Sequence, residues 1–184
     1  MRRSVDAVEH RDDSIVLRPW REDDAPAVYA ACQDREIQRW IPSIPRPYTH
    51  DDASAFVTGV DEPGHHQLAI VELGRVIGSI FLRVDDGNTG RVGYWCVSHA
   101  RGRGATTRAL RHLCRHAFDE LGLDRLELIA DPDNVASQRV AEKVDFRREG
   151  VLRSHLLHPD GRRRDSVMFS LLPGELSEAR HSGS

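Results

Sequence analysis

Residues 101–107 read RGRGATT, two arginines alternating with two glycines before two hydroxyl residues, and they lead into a long amphipathic segment. Glycine lets a backbone approach a ligand closely, and the first amides of a helix lack internal acceptors. Those N–H groups and the helix dipole together favour an anion, best a phosphate or pyrophosphate. The stretch is not a P-loop, because Gly-Lys-Ser/Thr is missing. Nor is it a dinucleotide fingerprint, because Thr107 stands where the third glycine belongs. An ordinary turn ahead of a helix also explains two glycines.

Charge is segregated around this loop. Between Gly87 and Phe118 there is no Asp or Glu, while Arg91, Arg101, Arg103, Arg108, Arg111 and Arg115 all fall there. That pattern favours an anionic ligand. The net charge of −3 gives no general attraction to nucleic acid or to an anionic membrane. Other reactive side chains are sparse. Cys32, Cys96 and Cys114 lie in apolar stretches without metal-ligand or C-x-x-C spacing and read as buried thiols of a cytoplasmic protein. His112, His116 and Glu120 share helical spacing, but helical angles set the histidines off the apolar stripe, so they read as a solvated face and no metal is expected.

The elements that must position these residues follow from periodicity. A length of 184 residues suits one domain with a core of its own. No run approaches the roughly 18 apolar residues of a membrane span, and the first residues have no apolar core for a signal peptide. Residues 1–13 and 174–184 are polar and unpatterned and read as tails around a domain at 14–173. Strands are expected at 14–20, 66–72, 75–84, 91–97 and 125–130, with two more around the turn HPDG. Helices are expected after Arg21, over 49–57 with Thr49 as N-cap, from Gly104 to Leu121, and over 134–144. The segment WIPSIPRPYT, with three prolines, reads as a loop. This order gives one α/β (α+β) domain on a mixed, largely antiparallel sheet.

The G-Y-W strand (93–95), the R-x-x-G loop (Arg101 to Gly104), the D-P-D-N-x-x-S segment (131–137) and the closing HPDGRRRD occur in that order. In this the chain resembles the GNAT superfamily of acyl-CoA N-acyltransferases, in its RimJ/RimL-like branch, from about Ile15 to Leu172. The resemblance implies the GNAT fold, flanked by helices and splayed between strand 94–97 and strand 125–130. Pantetheine would lie in that slot, beside Trp95, Cys96 and Val97. Arg101, Gly102, Arg103, Gly104, Ala105, Thr106 and Thr107 would cradle the pyrophosphate of coenzyme A, and Arg108 would lie near the ribose phosphate.

It further implies acetyl-CoA as acyl donor and direct attack by an amine acceptor in a ternary complex. Amine acylation needs a neutral amine, a held oxyanion and a protonated leaving thiolate. A fixed backbone N–H suits the oxyanion, and Val97 N–H is the expected donor. Cys96 as a covalent nucleophile is the competing reading. The tyrosine that many family members carry seven residues after the helix-opening asparagine is absent, since Ala141 stands there. Ser137, three residues after Asn134, is the expected proton donor, with a backbone-satisfying serine as the alternative. Asn134 either contacts pantetheine or caps its helix. An α-amine of pKa roughly 7.7–8.0 needs little help from a base, and a lysine near 10.4 needs much. His66 is the expected base, with His65 and Glu72 as competitors.

Trp40 and Tyr48 would line the acceptor mouth, unless they are core aromatics. Two positions depart from the family pattern: Thr106 must turn its side chain from the phosphates, and Asp145 replaces a glycine that can need positive φ. Protein N-termini are the favoured acceptors, with small-molecule amines, antibiotics or a non-catalytic acyl-CoA-binding module as alternatives. An RNA-binding role for RGR is disfavoured by net acidity and the lack of interleaved aromatics. A homodimer stays open.

Overall fold

Short β-rich runs bounded by turn residues, and one fifteen-residue stretch with a helical apolar stripe, set the architecture. The computed structural model describes residues 10–11, 15–59, 64–158 and 160–177. Its strands are β1 (His10–Arg11), β2 (Ile15–Pro19), β3 (His65–Glu72), β4 (Arg75–Val84), β5 (Thr89–Cys96), β6 (Arg125–Ala130), β7 (Arg147–Leu157) and β8 (Arg163–Leu171). Its helices are α1 (Ala25–Cys32), α2 (Arg35–Trp40), α3 (His50–Thr58), α4 (Ala105–Asp119) and α5 (Val135–Lys143).

The strands form one sheet in the order β1-β2-β3-β4-β5-β6-β8-β7. Every neighbouring pair is antiparallel except β5 and β6, which run parallel and so need the α4 crossover between them. Pairing of β5 with β4 continues to Gly78↔Cys96, but pairing of β5 with β6 stops at Val92↔Leu128. Beyond that point β6 stays with β8, up to Ala130↔Val167. The sheet therefore opens between its two central strands, as expected for the splayed fold.

One face of the sheet is covered by α4 and α5. Ala109, Leu110, Leu113 and Ala117 of α4 pack on Leu17, Leu82, Leu126 and Leu128, all of them buried. Each such leucine contributes about 1.5–3 kcal/mol relative to exposure. The other face carries α1–α3 near Trp95, with Ala31, Ile37, Trp20 and Phe56 around it. A bidentate ion pair anchors this layer: Arg18 on β2 donates to both carboxylate oxygens of Asp24 at 2.7 and 2.8 Å. Helix α3 starts with the expected capping box, Asp52 N donating to Thr49 Oγ1 (3.2 Å) and Thr49 N to Asp52 Oδ2 (2.7 Å).

Four expectations change. The region read as an N-terminal tail holds β1, paired with β2 through His10↔Leu17. The region read as a C-terminal tail is docked as far as Ser177. Ser177 N and Oγ donate to Asp145 (3.0 and 2.8 Å), and Arg111 Nη1 donates to Ser177 O (2.6 Å). The periodicity gave no sign of α2, a short helix held by Asp34, whose side chain accepts from Glu36 N. His116 is buried within α4 instead of lying on a solvated face, because the helix is covered on more than its apolar stripe. Asp145 does adopt positive φ (65°).

Candidate active site

Gly102 (φ 74°) and Gly104 (φ 77°) turn the chain left-handed just before α4, a conformation that costs a residue with a Cβ roughly 1–2 kcal/mol. Gly104 is the N-cap and brings no side chain to the helix start. The amides of Ala105, Thr106 and Thr107 therefore face outward with no intrahelical acceptor. The Thr106 side chain interacts with the Cys96 thiol, away from the loop backbone. Arg103 Nη2 reaches Glu72 Oε2 at 2.9 Å, and Arg108 donates to Arg103 O (3.2 Å) beside the same carboxylate. Glu72 thus belongs to the loop's ion-pair set and is not among the residues that line the cleft on the α1–α3 side. Arg101 braces the loop from one side, its Nη2 on Asp34 (2.6 Å) and its Nε on Cys96 O (3.1 Å). The loop and helix start fit a diphosphate by donor chemistry, with bare amides and positive side chains beside them.

Backbone direction alternates along β5. Val97 N donates to Ile77 O at 2.9 Å, so odd-numbered residues here bond to β4. This corrects the expectation for Val97, whose N–H is taken within the sheet. The groups turned into the opening are those of Tyr94 and Cys96, and Cys96 O is already met by Arg101. Cys96 N–H is therefore the amide at the loop end of the slot. Burial pushes the Cys96 thiol up, with Thr106 opposing in part, which disfavours a thiolate nucleophile.

Helix α5 supplies the opposite wall. Asn134 Oδ1 accepts from Ser137 N (3.1 Å), so Asn134 does cap its helix. The phenol of Tyr94 crosses beneath the opening to α5, with Oη 3.1 Å from Ser137 Oγ and 3.1 Å from Ser137 O. Burial raises the Tyr94 phenol, Ser137 offsetting part of that, and keeps it protonated at neutral pH. Ala141, where a helix tyrosine was sought, is wholly buried.

A cleft of about 890 Å³ runs through this opening to the α1–α3 side. Trp40, Tyr48, Trp95, Asn134 and Ser137 line it. Tyr48 also packs with Val28, Cys32 and Ala53, so it is a core aromatic that borders the cleft. His66 does not reach the cleft. It pairs with Leu82 and shares the α4 face with Leu68, whereas His65 and Gln67 alternate toward the cleft. The expectation that placed His66 at the site therefore fails on position, and it is His65 that lines the cleft, its ring meeting Phe81 edge-on at 5.9 Å. Phe81 in turn lies over Gly93, where a Cβ would come within 2.4 Å of the ring.

Sequence reasoning missed Tyr94, Arg83, Arg91 and His155 as cleft residues. For Arg83 and Arg91 the signal was present in strand parity, since both share a face with Phe81 and Gly93. For Tyr94 and His155 it was not, because each depends on how a second element lies against its strand.

A sheet split at its centre, with bare helix amides at one end of the split and a hydroxyl pair in its wall, joins an anion-binding chemistry to a candidate proton donor in one opening. A family model described as an acetyltransferase (GNAT) domain matches residues 14–147, and the chain belongs to that family of N-acetyltransferases. A Bacillus subtilis protein named "Putative ribosomal N-acetyltransferase YdaF" is 38% identical over 84 residues, which span 46% of this chain and 45% of that protein. "Uncharacterized N-acetyltransferase p20" of Bacillus licheniformis is 26% identical over 170 residues, 89% of this chain and 95% of that one. The structure of Mycobacterium smegmatis RimJ in complex with CoA-disulfide superposes with a TM-score of 0.81, at 26% identity, over 89% of this chain and 84% of that chain.

Proposed function

We propose that this protein acetylates the N-terminal α-amine of a protein or peptide, by direct attack on acetyl-CoA. The observation that carries the reading is the end of β5–β6 pairing at Val92↔Leu128, which leaves an open slot between the amides before α4 and the Ser137 hydroxyl. The ribosomal acceptor in the name of YdaF, and the RimJ structure bound to a coenzyme A derivative, support it.

In this reading the amides of Gly104, Ala105, Thr106 and Thr107 hold the diphosphate, with Arg103 and Arg108 adding charge. The neutral amine adds to the thioester carbonyl carbon. The resulting oxyanion takes a hydrogen bond from Cys96 N–H, a donor fixed by the sheet before the reaction begins. The carbon–sulfur bond then breaks, and Ser137 Oγ–H passes its proton to the departing thiolate. Tyr94 behind Ser137 orients that hydroxyl and can resupply the proton. The proton lost by the amine leaves to water or to a cleft imidazole, His65 or His155. An α-amine has a substantial neutral fraction near pH 7.5, so no strong base is required.

The test is thiol release from acetyl-CoA, with succinyl-CoA alongside, against unblocked peptides, the same peptides acetylated at the N-terminus, and small amines. Release that needs a free peptide N-terminus supports the reading. Release with small amines alone, or with none of the panel, overturns it.

A further inference from the structure

The cleft-facing side of the sheet carries a row of basic residues in direct register, His65↔Arg83 and Arg83↔Arg91. All three line the cleft. Like charges directly opposite on neighbouring strands repel, and Arg83 and Arg91 are both exposed, so solvent screens the pair and leaves it open to an anion. Among the described residues, neither Arg83 nor Arg91 has an ion pair or a side-chain hydrogen bond.

The acidic neighbours are already engaged. Asp52, which lines the cleft, is held by Thr49 N and Oγ1 at 2.7 and 2.6 Å. Asp131, at the opposite end beside Asn134, accepts from Asp133 N (2.9 Å) and lies 3.9 Å from Arg164. Glu127 is next to Arg91 in the β5–β6 register, but its carboxylate takes Arg125 Nε at 3.0 Å. The cleft wall is thus largely apolar, and it carries two solvent-exposed arginines without an acidic partner and an acid beside Asn134.

We infer that Arg83 and Arg91 bind an anionic group on the acceptor, namely an acidic side chain at the second or third residue of the peptide whose N-terminus is acetylated. The spacing supports this. Arg91 is three residues along β5 from Tyr94, about 10 Å, and an extended peptide advances roughly 3.3 Å per residue. An α-amine at the slot therefore places its second and third residues about 3 and 7 Å along that path, within reach of the long arginine side chains. Two guanidiniums suit a carboxylate or a phosphate by paired N–H donation. The inference rests on the N-terminal reading for the identity of the acceptor, but not for its charge.

The experiment compares kcat/KM for peptides of one length with Asp, phosphoserine, Ala or Lys at residues 2 and 3, and adds small amines with and without a phosphonate. The Asp and phosphoserine peptides are expected to exceed the Ala peptide by roughly tenfold, as for a charge-assisted contact. In Arg83→Glu/Arg91→Glu the order is expected to invert in favour of the Lys peptide, with the melting temperature and acetyl-CoA uptake showing that the variant folds. Equal turnover of Asp, Ala and Lys peptides overturns the arginine assignment and leaves N-terminal acetylation standing. Turnover of phosphonate amines with no peptide accepted removes the peptide and supports the anion site. An unchanged order in the folded double variant overturns the site outright.

Discussion

The Tyr94 hydroxyl lies 3.1 Å from Ser137 Oγ and 3.1 Å from Ser137 O, so one phenolic proton has two acceptors. If it goes to the carbonyl, the serine proton turns back to the phenol. If it goes to Oγ, the serine proton is free to face the slot. Tyr94 is thus a positioning residue for Ser137. Tyr94→Phe is expected to lower kcat about tenfold, the worth of one hydrogen bond, while KM for acetyl-CoA holds. Ser137→Ala should cost roughly a hundredfold. A double variant no slower than Ser137→Ala alone would show that the two act as one unit, and additive losses would show separate roles.

Gly104 bears on binding and not on chemistry. At φ 77° an alanine is strained, and its Cβ would stand 3.4 Å from Arg108 Nη1. Gly104→Ala is expected to weaken coenzyme A uptake by about tenfold in calorimetry, from roughly 1–2 kcal/mol of strain at the helix start. Turnover at saturating acetyl-CoA should change far less.

Cys96 offers the slot its amide, whereas its thiol is raised by burial. Cys96→Ala keeps the amide and is expected to retain kcat within about threefold. Mass spectrometry of enzyme mixed with acetyl-CoA alone should find no acetylated cysteine. A loss of activity beyond a hundredfold would restore the covalent route.

Acid stability follows from carboxylates held below their ordinary range. The Arg125 guanidinium, donating at 3.0 and 2.7 Å, and the Ser170 hydroxyl keep Glu149 at about 2. A carboxylate with a depressed folded-state pKa stabilises the fold above its unfolded value, about 4.3, and loses that contribution as pH falls toward 2. Glu149 is partly exposed, so solvent screening leaves it a modest share. The urea midpoint should be flat above pH 5 and fall below pH 4.3, with a smaller drop in Arg125→Ala.

Asp24 is more deeply placed, its side chain 10% exposed against Arg18 at 12%. Asp24→Asn strands the guanidinium between β2 and α1. The expected loss is about 3 kcal/mol, and a melting temperature lower by roughly 10 °C would register it.

How much of this was legible beforehand depended on how local each cause is. The Thr49 capping box, the glycine turn before α4 and the apolar stripe of α4 are set by residues within a turn or two of one another, and sequence spacing reports them directly. The four motifs in order likewise named the family and the split sheet. The orientations of Val97 and His66 were not legible, because a strand turns successive residues to opposite sides and only the observed register fixes which parity faces the cleft.

The sequence by itself determined most of the elements, their order, the glycine turn ahead of α4 and the acetyltransferase family. The tertiary structure alone decided which amide enters the slot, that a phenol from β5 stands behind a serine from α5 forty-three positions away, and that two arginines meet across β4 and β5. Those relationships arise when non-local elements pack, and no spacing along the chain encodes the angle at which they do so.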